Sequence, residues 1–282
     1  MKSLVYACNP FKIDKMTKRI IGVIGLLVLV GSVLAQPKPD CMRECLNCKE
    51  TNNQIKEMNM QSTEKALLDV RKIHVNGPVE AEQVSKLMKD NGIAWHRLEQ
   101  APWAESYPYR PEVEFAIAHT GQEILLWWRV SENCVRAEAA SDNGRVWEDS
   151  CCELFLQPEG SPNYYNIECN CAGKLLVQGG PVGTERPLAT TETTTSVRRW
   201  SSLGNEPFAL KTEPTSWTLA EVIPTTALFL DHVDSFSGLK ATGNLYKCGD
   251  LLAQPHYLAL FPIDLPKPAF HCPQFFRTLV FE

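Results

Sequence analysis

Short runs of alternating apolar and polar residues dominate the chain from Val113 onward. Val113–His119 sets Val, Phe and Ile against Glu and Ala, Thr120-Gly121 reverses direction, and Glu123–Val130 runs back. Period-two alternation on both sides of a glycine turn predicts a hairpin. The same logic predicts strands over Cys151–Gln157 and Tyr164–Cys171, joined by the turn-rich Pro158-Glu159-Gly160-Ser161-Pro162-Asn163. Further strands are expected at Lys174–Val177, Trp217–Ile223, Leu239–Cys248 and Phe276–Phe281, preceded by a first strand over Leu68–Val75. Helix-forming composition is confined to Pro78–Asp90, where Val79, Val84 and Leu87 share a face and Gly92 ends the run. The Thr-rich Ala189–Ser196 reads as an exposed loop, and no internal repeat is visible. The expected fold is all-β, a jelly-roll-like sandwich of two antiparallel sheets with one short N-terminal helix.

The N-terminus has a different pattern. Lys15, Lys18 and Arg19 precede an apolar run over Ile20–Val30, and Gly31-Ser32-Val33-Leu34-Ala35 supplies small residues. This predicts a secretory signal over 1–35, cut near Ala35–Gln36, with Met16 a second candidate start. The apolar run is too short to cross a bilayer as a stop-transfer helix, so no transmembrane anchor is expected after cleavage, and the destination is secreted or periplasmic. Residues 36–65 are polar and read as a flexible leader carrying Cys41, Cys45 and Cys48; the folded domain is expected over 66–282.

Charge narrows the partners. Loss of 1–35 removes five basic groups and one acidic group, moving the net charge from −5 to −9. A chain that acidic has no basic field for polyanions, which argues against nucleic acid and is compatible with a neutral ligand. Ten of the eleven cysteines survive cleavage, and in an exported chain they predict at least some disulfides.

Candidate chemistry lies in acids and aromatics. Glu153 and Glu168 fall in consecutive predicted strands, where they can face each other across the ladder. That placement suits hydrogen bonds to sugar hydroxyls or a cation, and with Asp149 it also admits a glycosidase. Trp128 alternates with Leu126 and Val130 and is expected in the core; Trp127 points the other way, toward solvent or under a loop. Trp147 follows the turn Asp142-Asn143-Gly144-Arg145, at a loop-to-strand edge where binding residues collect. Cys248, His256, His271 and Cys272 lack the paired spacing of a structural zinc site. G-x-S-x-G, H-E-x-x-H, P-loop and dinucleotide patterns are absent from the sequence, and no catalytic residue is assigned.

Three blocks carry a resemblance. Val146-Trp147-Glu148-Asp149-Ser150-Cys151-Cys152-Glu153-Leu154-Phe155 is followed by Asn163-Tyr164-Tyr165-Asn166-Ile167-Glu168-Cys169-Asn170. The third block is Asn244–Asp250 with Pro255-His256-Tyr257-Leu258 and Phe270–Phe276. Together, over about residues 68–282, they resemble the carbohydrate-binding family 9-like proteins. The resemblance implies a two-sheet sandwich whose paired Trp side chains clamp a sugar, with a structural calcium nearby. It places Trp147 as one clamp and Glu153 as a hydroxyl reader, and Glu168 and Asn170 of the second block join them as candidate carbohydrate-binding residues. The second clamp position is Leu260 here, leaving Tyr257 or Phe261 to replace it. The implied role is non-catalytic binding of a mono-, oligo- or polysaccharide in carbohydrate breakdown, beside a separate glycoside hydrolase. The alternatives are a hydrolase using Glu153, Glu168 and Asp149, or a related sandwich binding haem or another small ligand through His or Met.

Overall fold

The computed structural model describes residues 67–282. The expected signal peptide, the expected leader with Cys41, Cys45 and Cys48, and the expected boundary at 65/66 lie outside the described residues. Among the described residues there are fourteen strands: β1 (Leu67–Lys72), β2 (His96–Arg97), β3 (Glu112–His119), β4 (Glu123–Glu132), β5 (Val135–Ala137), β6 (Cys151–Pro158) and β7 (Tyr164–Asn170), then β8 (Leu175–Gly180), β9 (Arg198–Ser201), β10 (Phe208–Lys211), β11 (Thr215–Pro224), β12 (Lys240–Cys248), β13 (Tyr257–Ala259) and β14 (Arg277–Phe281). The helices are α1 (Val84–Asp90) and α2 (Thr191–Ser196).

Hydrogen bonding runs without a break in the order β8-β7-β6-β12-β14-β1-β3-β4-β11-β9. The curled sheet folds into two facing layers at β1. Leu67–Val70 pair with β14, and Arg71 and Lys72 pair with β3, so one short strand belongs to both layers. Both of these pairings are parallel, a departure from the expected all-antiparallel arrangement. Period-two alternation then sends one side chain in two toward the partner layer. Leu154, Leu156, Tyr165 and Ile167 from one layer meet Phe115, Ile117, Leu126 and Trp128 from the other in the main core. The sandwich fold is therefore present, with β5 and β10 forming a separate two-stranded sheet.

The outer face of the β3-β4-β11 layer is covered by α1. Val84 and Met88, one turn apart, face inward, and the helix ends where Gly92 adopts φ +58°, open to glycine at little cost. Trp127 is buried beneath this helix and beneath Trp95, which belongs to the loop between the helix and β2, so a loop covers it together with the helix. The Thr-rich segment forms α2 instead of a loop. Its N-cap Thr190 accepts a hydrogen bond from the Thr193 backbone N–H, supplying the partner that a short helix start needs. The seven described cysteines (134, 151, 152, 169, 171, 248 and 272) are buried free thiols, so no disulfide forms among the described residues. Their interior positions answer to packing, which the spacing of Cys in sequence does not reveal. Among the described residues no helix is long and apolar enough to cross a membrane.

Candidate functional site

The outward face of the β6-β7-β12 layer carries an unusual set of side chains. The β6/β7 register sets Glu153 directly opposite Glu168. The β6/β12 register sets Cys151 opposite Cys248, and Tyr246 opposite Glu153. Since Cys151 and Glu153 are two apart on one strand, they share that face. Loops from the C-terminal region roof it with aromatic residues, leaving a cleft of about 340 Å³.

Glu153, Glu168 and Cys248 form the floor of the cleft. Trp147, Tyr257 and Phe270 form walls, and Gln178, Asp250 and His271 complete the lining. Trp147 sits in a single 3-10 turn, Val146–Glu148, just before β6. Two anchors fix that turn. Asn143, at φ +58°, donates its backbone N–H to the Leu175 carbonyl at 2.7 Å and its amide to Ala189 O at 2.9 Å. Behind it, Asp149 accepts from the backbone N–H groups of Glu138 (2.9 Å) and Ala139 (3.0 Å) and from Asn170 Nδ2 (2.8 Å), and pairs with Arg136 at 3.2 Å. Asp250 and Leu251 in turn donate backbone hydrogen bonds to the Trp147 and Glu148 carbonyls. The opposite walls are braced by ring packing: Phe270 stacks on Tyr246 at 4.1 Å, and Tyr257 meets Trp103 and Tyr107 edge-on.

Four of the six residues singled out from sequence thus come together: Trp147, Glu153, Glu168 and Tyr257. Asn170 does not line the cleft; it is buried against Asp149 and holds the turn through Ala172 and Lys174. Phe261 lies in the main core between the layers. Asp149, with its carboxylate engaged by Arg136 and three N–H donors, is likewise absent from the cleft lining. Sequence reasoning missed Phe270, Asp250, Gln178 and the Cys151–Cys248 pair. Of these only Cys151 left a usable signal, because strand alternation puts it on the Glu153 side.

Burial governs the chemistry of the floor. It pushes the Glu153 carboxyl well above the usual range, helped by Cys248 and Glu168. Burial also raises Glu168 to about 7, although Asn166, which donates to it at 2.7 Å, and Arg186 pull the other way. Glycoside cleavage needs one protonated and one ionised carboxyl across the sugar. Here both are pushed toward the neutral form, a state suited to exchanging hydrogen bonds with hydroxyl groups.

The histidines and thiols group differently from the weakly spaced set seen in sequence. Cys248 Sγ donates to Glu153 Oε1 at 3.0 Å, while His256 is buried against Lys247 on the other side of β12. His271 bonds the Tyr164 hydroxyl, and Cys272 donates to Ala269 O. Among the described residues, the convergence of three ligating side chains is Cys151, Glu153 and Cys248. Two thiols do not fit calcium, which takes an oxygen shell. A larger cleft, about 670 Å³, opens elsewhere beside Asp142, Lys174, Arg199 and Trp200 and contains none of the residues picked from sequence.

A two-layer β-sandwich with a preformed, indole-walled cleft defines a small-ligand-binding protein. The chain matches the model described as carbohydrate-binding family 9 over residues 82–281, and it belongs to that family. It is similar to a Bacteroides uniformis protein described provisionally as carbohydrate-binding, with 52% identity and a TM-score of 0.75, covering 77% of this chain and 99% of that one. Two structures of a family 9 module from Caldicellulosiruptor kristjanssonii, one with cellotriose and one with glucose, match at 10% identity. Their TM-scores are 0.47 and 0.42, over 77% of this chain and 93% and 95% of theirs. Likenesses that distant carry no argument about this cleft. No curated protein matches the chain.

Proposed function

We propose that the cleft binds a neutral saccharide, with one ring laid on the Trp147 indole and its hydroxyls read by Glu153, Glu168, Gln178 and Asp250. The observation that carries this reading is a partly buried indole standing over a floor of carboxyl groups in a chain of a carbohydrate-binding family. The flat apolar face of an indole suits axial C–H groups, and carboxyls can both accept and donate at the hydroxyl rim. Tyr257 and Phe270 take the place of a second Trp on the facing walls. The protein acts without cleaving bonds itself, as an exported binding module in polysaccharide breakdown beside a separate glycoside hydrolase. Support for export is the basic stretch and apolar run before Ala35.

Isothermal titration of the protein with a panel of neutral mono- and oligosaccharides tests this. Binding in the micromolar-to-millimolar range that disappears in Trp147→Ala, and persists in Trp200→Ala at the larger cleft, is the expected result. Absence of binding across the panel at millimolar sugar, or binding indifferent to Trp147, would overturn it.

A further inference from the structure

The floor of the cleft has a chemistry that hydroxyl recognition does not require. Cys151 and Cys248 stand directly opposite on β6 and β12, and Glu153 projects from the same face two residues along. One ligating atom from each of the three lies within 4.8 Å of the other two, and all three side chains are buried. Glu168 faces Glu153 across the next ladder. Each of these groups gains negative charge when it loses a proton, and no basic side chain closes the set. The neighbouring Lys247 points to the opposite face of the sheet, held by Glu132 and His256. Arg186, whose charge reaches Glu168, directs its guanidinium to the Tyr164 carbonyl and ring and to His271 and bonds none of the three groups.

Buried acids and thiols with no compensating cation either keep their protons or take up a metal ion. Two sulfurs and a carboxylate, with the fourth direction open to a water-accessible cleft, are a donor set for a tetrahedral, thiophilic divalent ion. Glu153 and Cys248 themselves line the cleft, which gives the ion a way in.

We infer that Cys151, Glu153 and Cys248 form a zinc site at the base of the cleft. Binding forms two Zn–S bonds and one Zn–O bond; the two thiol protons, and any proton on Glu153, leave to solvent. The fourth position is open to water or to an oxygen of whatever occupies the cleft. The site shares Glu153 and the cleft with the saccharide reading, but its test reads the metal alone, so either can fail without the other.

The test is zinc titration of the full chain after treatment with chelator and reductant, run beside Cys151→Ser, Cys248→Ser and Glu153→Gln. Because the leader also carries thiols, a second series is made in a Cys41→Ser, Cys45→Ser, Cys48→Ser background. One equivalent of zinc retained in that background, and lost or weakened at least tenfold in each floor variant, is the expected result. Cobalt in place of zinc should give sulfur-to-metal charge-transfer absorption that Cys272→Ser leaves intact and Cys151→Ser removes. Circular dichroism of each variant separates a lost ligand from a lost fold, and Glu153→Gln, which keeps the shape of the side chain, serves if a Ser variant fails to fold. Zinc uptake unchanged in the floor variants, no uptake in the leader-substituted protein, or a Cys151–Cys248 disulfide that resists reductant would each overturn the assignment.

Discussion

Strand β12 carries two buried ionisable clusters back to back. Lys247 turns inward and Cys248 outward, and the groups around them follow opposite rules. On the inner side Lys247 Nζ donates to Glu132 at 3.0 Å and to His256 Nε2 at 2.7 Å, while Trp217 Nε1 donates to the second Glu132 oxygen at 2.8 Å. Burial works against the Lys247 charge, but Glu132 outweighs it and keeps the ammonium protonated. His256 is held neutral, with a pKa near 2, by burial and by that same Lys247. Every charge there has its partner, and the cluster joins the two layers. On the outer side Cys151, Glu153, Glu168 and Cys248 have acids for neighbours, and the one cation whose charge reaches them, Arg186, is hydrogen-bonded elsewhere. Depth of burial is the same on both sides, so depth does not mark a site; incomplete compensation beside an accessible cleft does.

The contrast can be broken most violently from the inner side. Lys247→Met leaves Glu132 buried and unpaired and should cost about 3–5 kcal/mol in chemical denaturation; a loss below 1 kcal/mol would mean that the ion pair is not what joins the layers. Glu221 lies between the two extremes. Trp128 Nε1 donates to one of its oxygens at 3.0 Å, while the other has no partner. Burial raises it from 4.5 to about 7, against Trp128 and Arg199. Between those values the unfolded carboxylate is ionised while the folded one keeps its proton. Stability should therefore fall as pH rises through that window, by about 3 kcal/mol in all. Glu221→Gln should flatten that part of the profile, as thermal melts at a series of pH values would show.

Smaller effects distinguish wall from core. Trp147→Ala should weaken saccharide binding at least tenfold, about 1.4 kcal/mol, with little change in melting temperature. Phe261→Leu should do the reverse, costing about 1 kcal/mol of stability and leaving binding untouched. A Phe261 variant with impaired binding would move the second wall of the cleft away from Tyr257 and Phe270.

The strands were legible in the sequence because half-buried β structure imposes a period of two, as at Val113–His119 and Cys151–Gln157. Shorter pieces such as β5, β9 and β13, of three or four residues each, offer too few positions for a period to register. The Glu153–Glu168 pairing was readable because a single turn joins consecutive strands. The Cys151–Cys248 pairing was not: it needs the register between strands nearly a hundred residues apart in the chain, which only the folded sheet sets. Phe261 looked like a substitute for the missing Trp because it adjoins Leu260. The bend that follows β13 instead turns it inward, where Asn244 accepts its N–H and donates to its carbonyl.

The seam at β1 has a consequence for how the molecule is made. Leu67–Val70 zip onto Thr278–Phe281, so the first strand among the described residues pairs with the last. The hydrogen-bonded ladder passes from one layer to the other only once that pairing forms. Folding dominated by so distant a pairing is slow. A nascent or shortened chain ending before Arg277 would leave the ladder edges of β1 and β12 bare, the kind of surface that recruits other chains into aggregates.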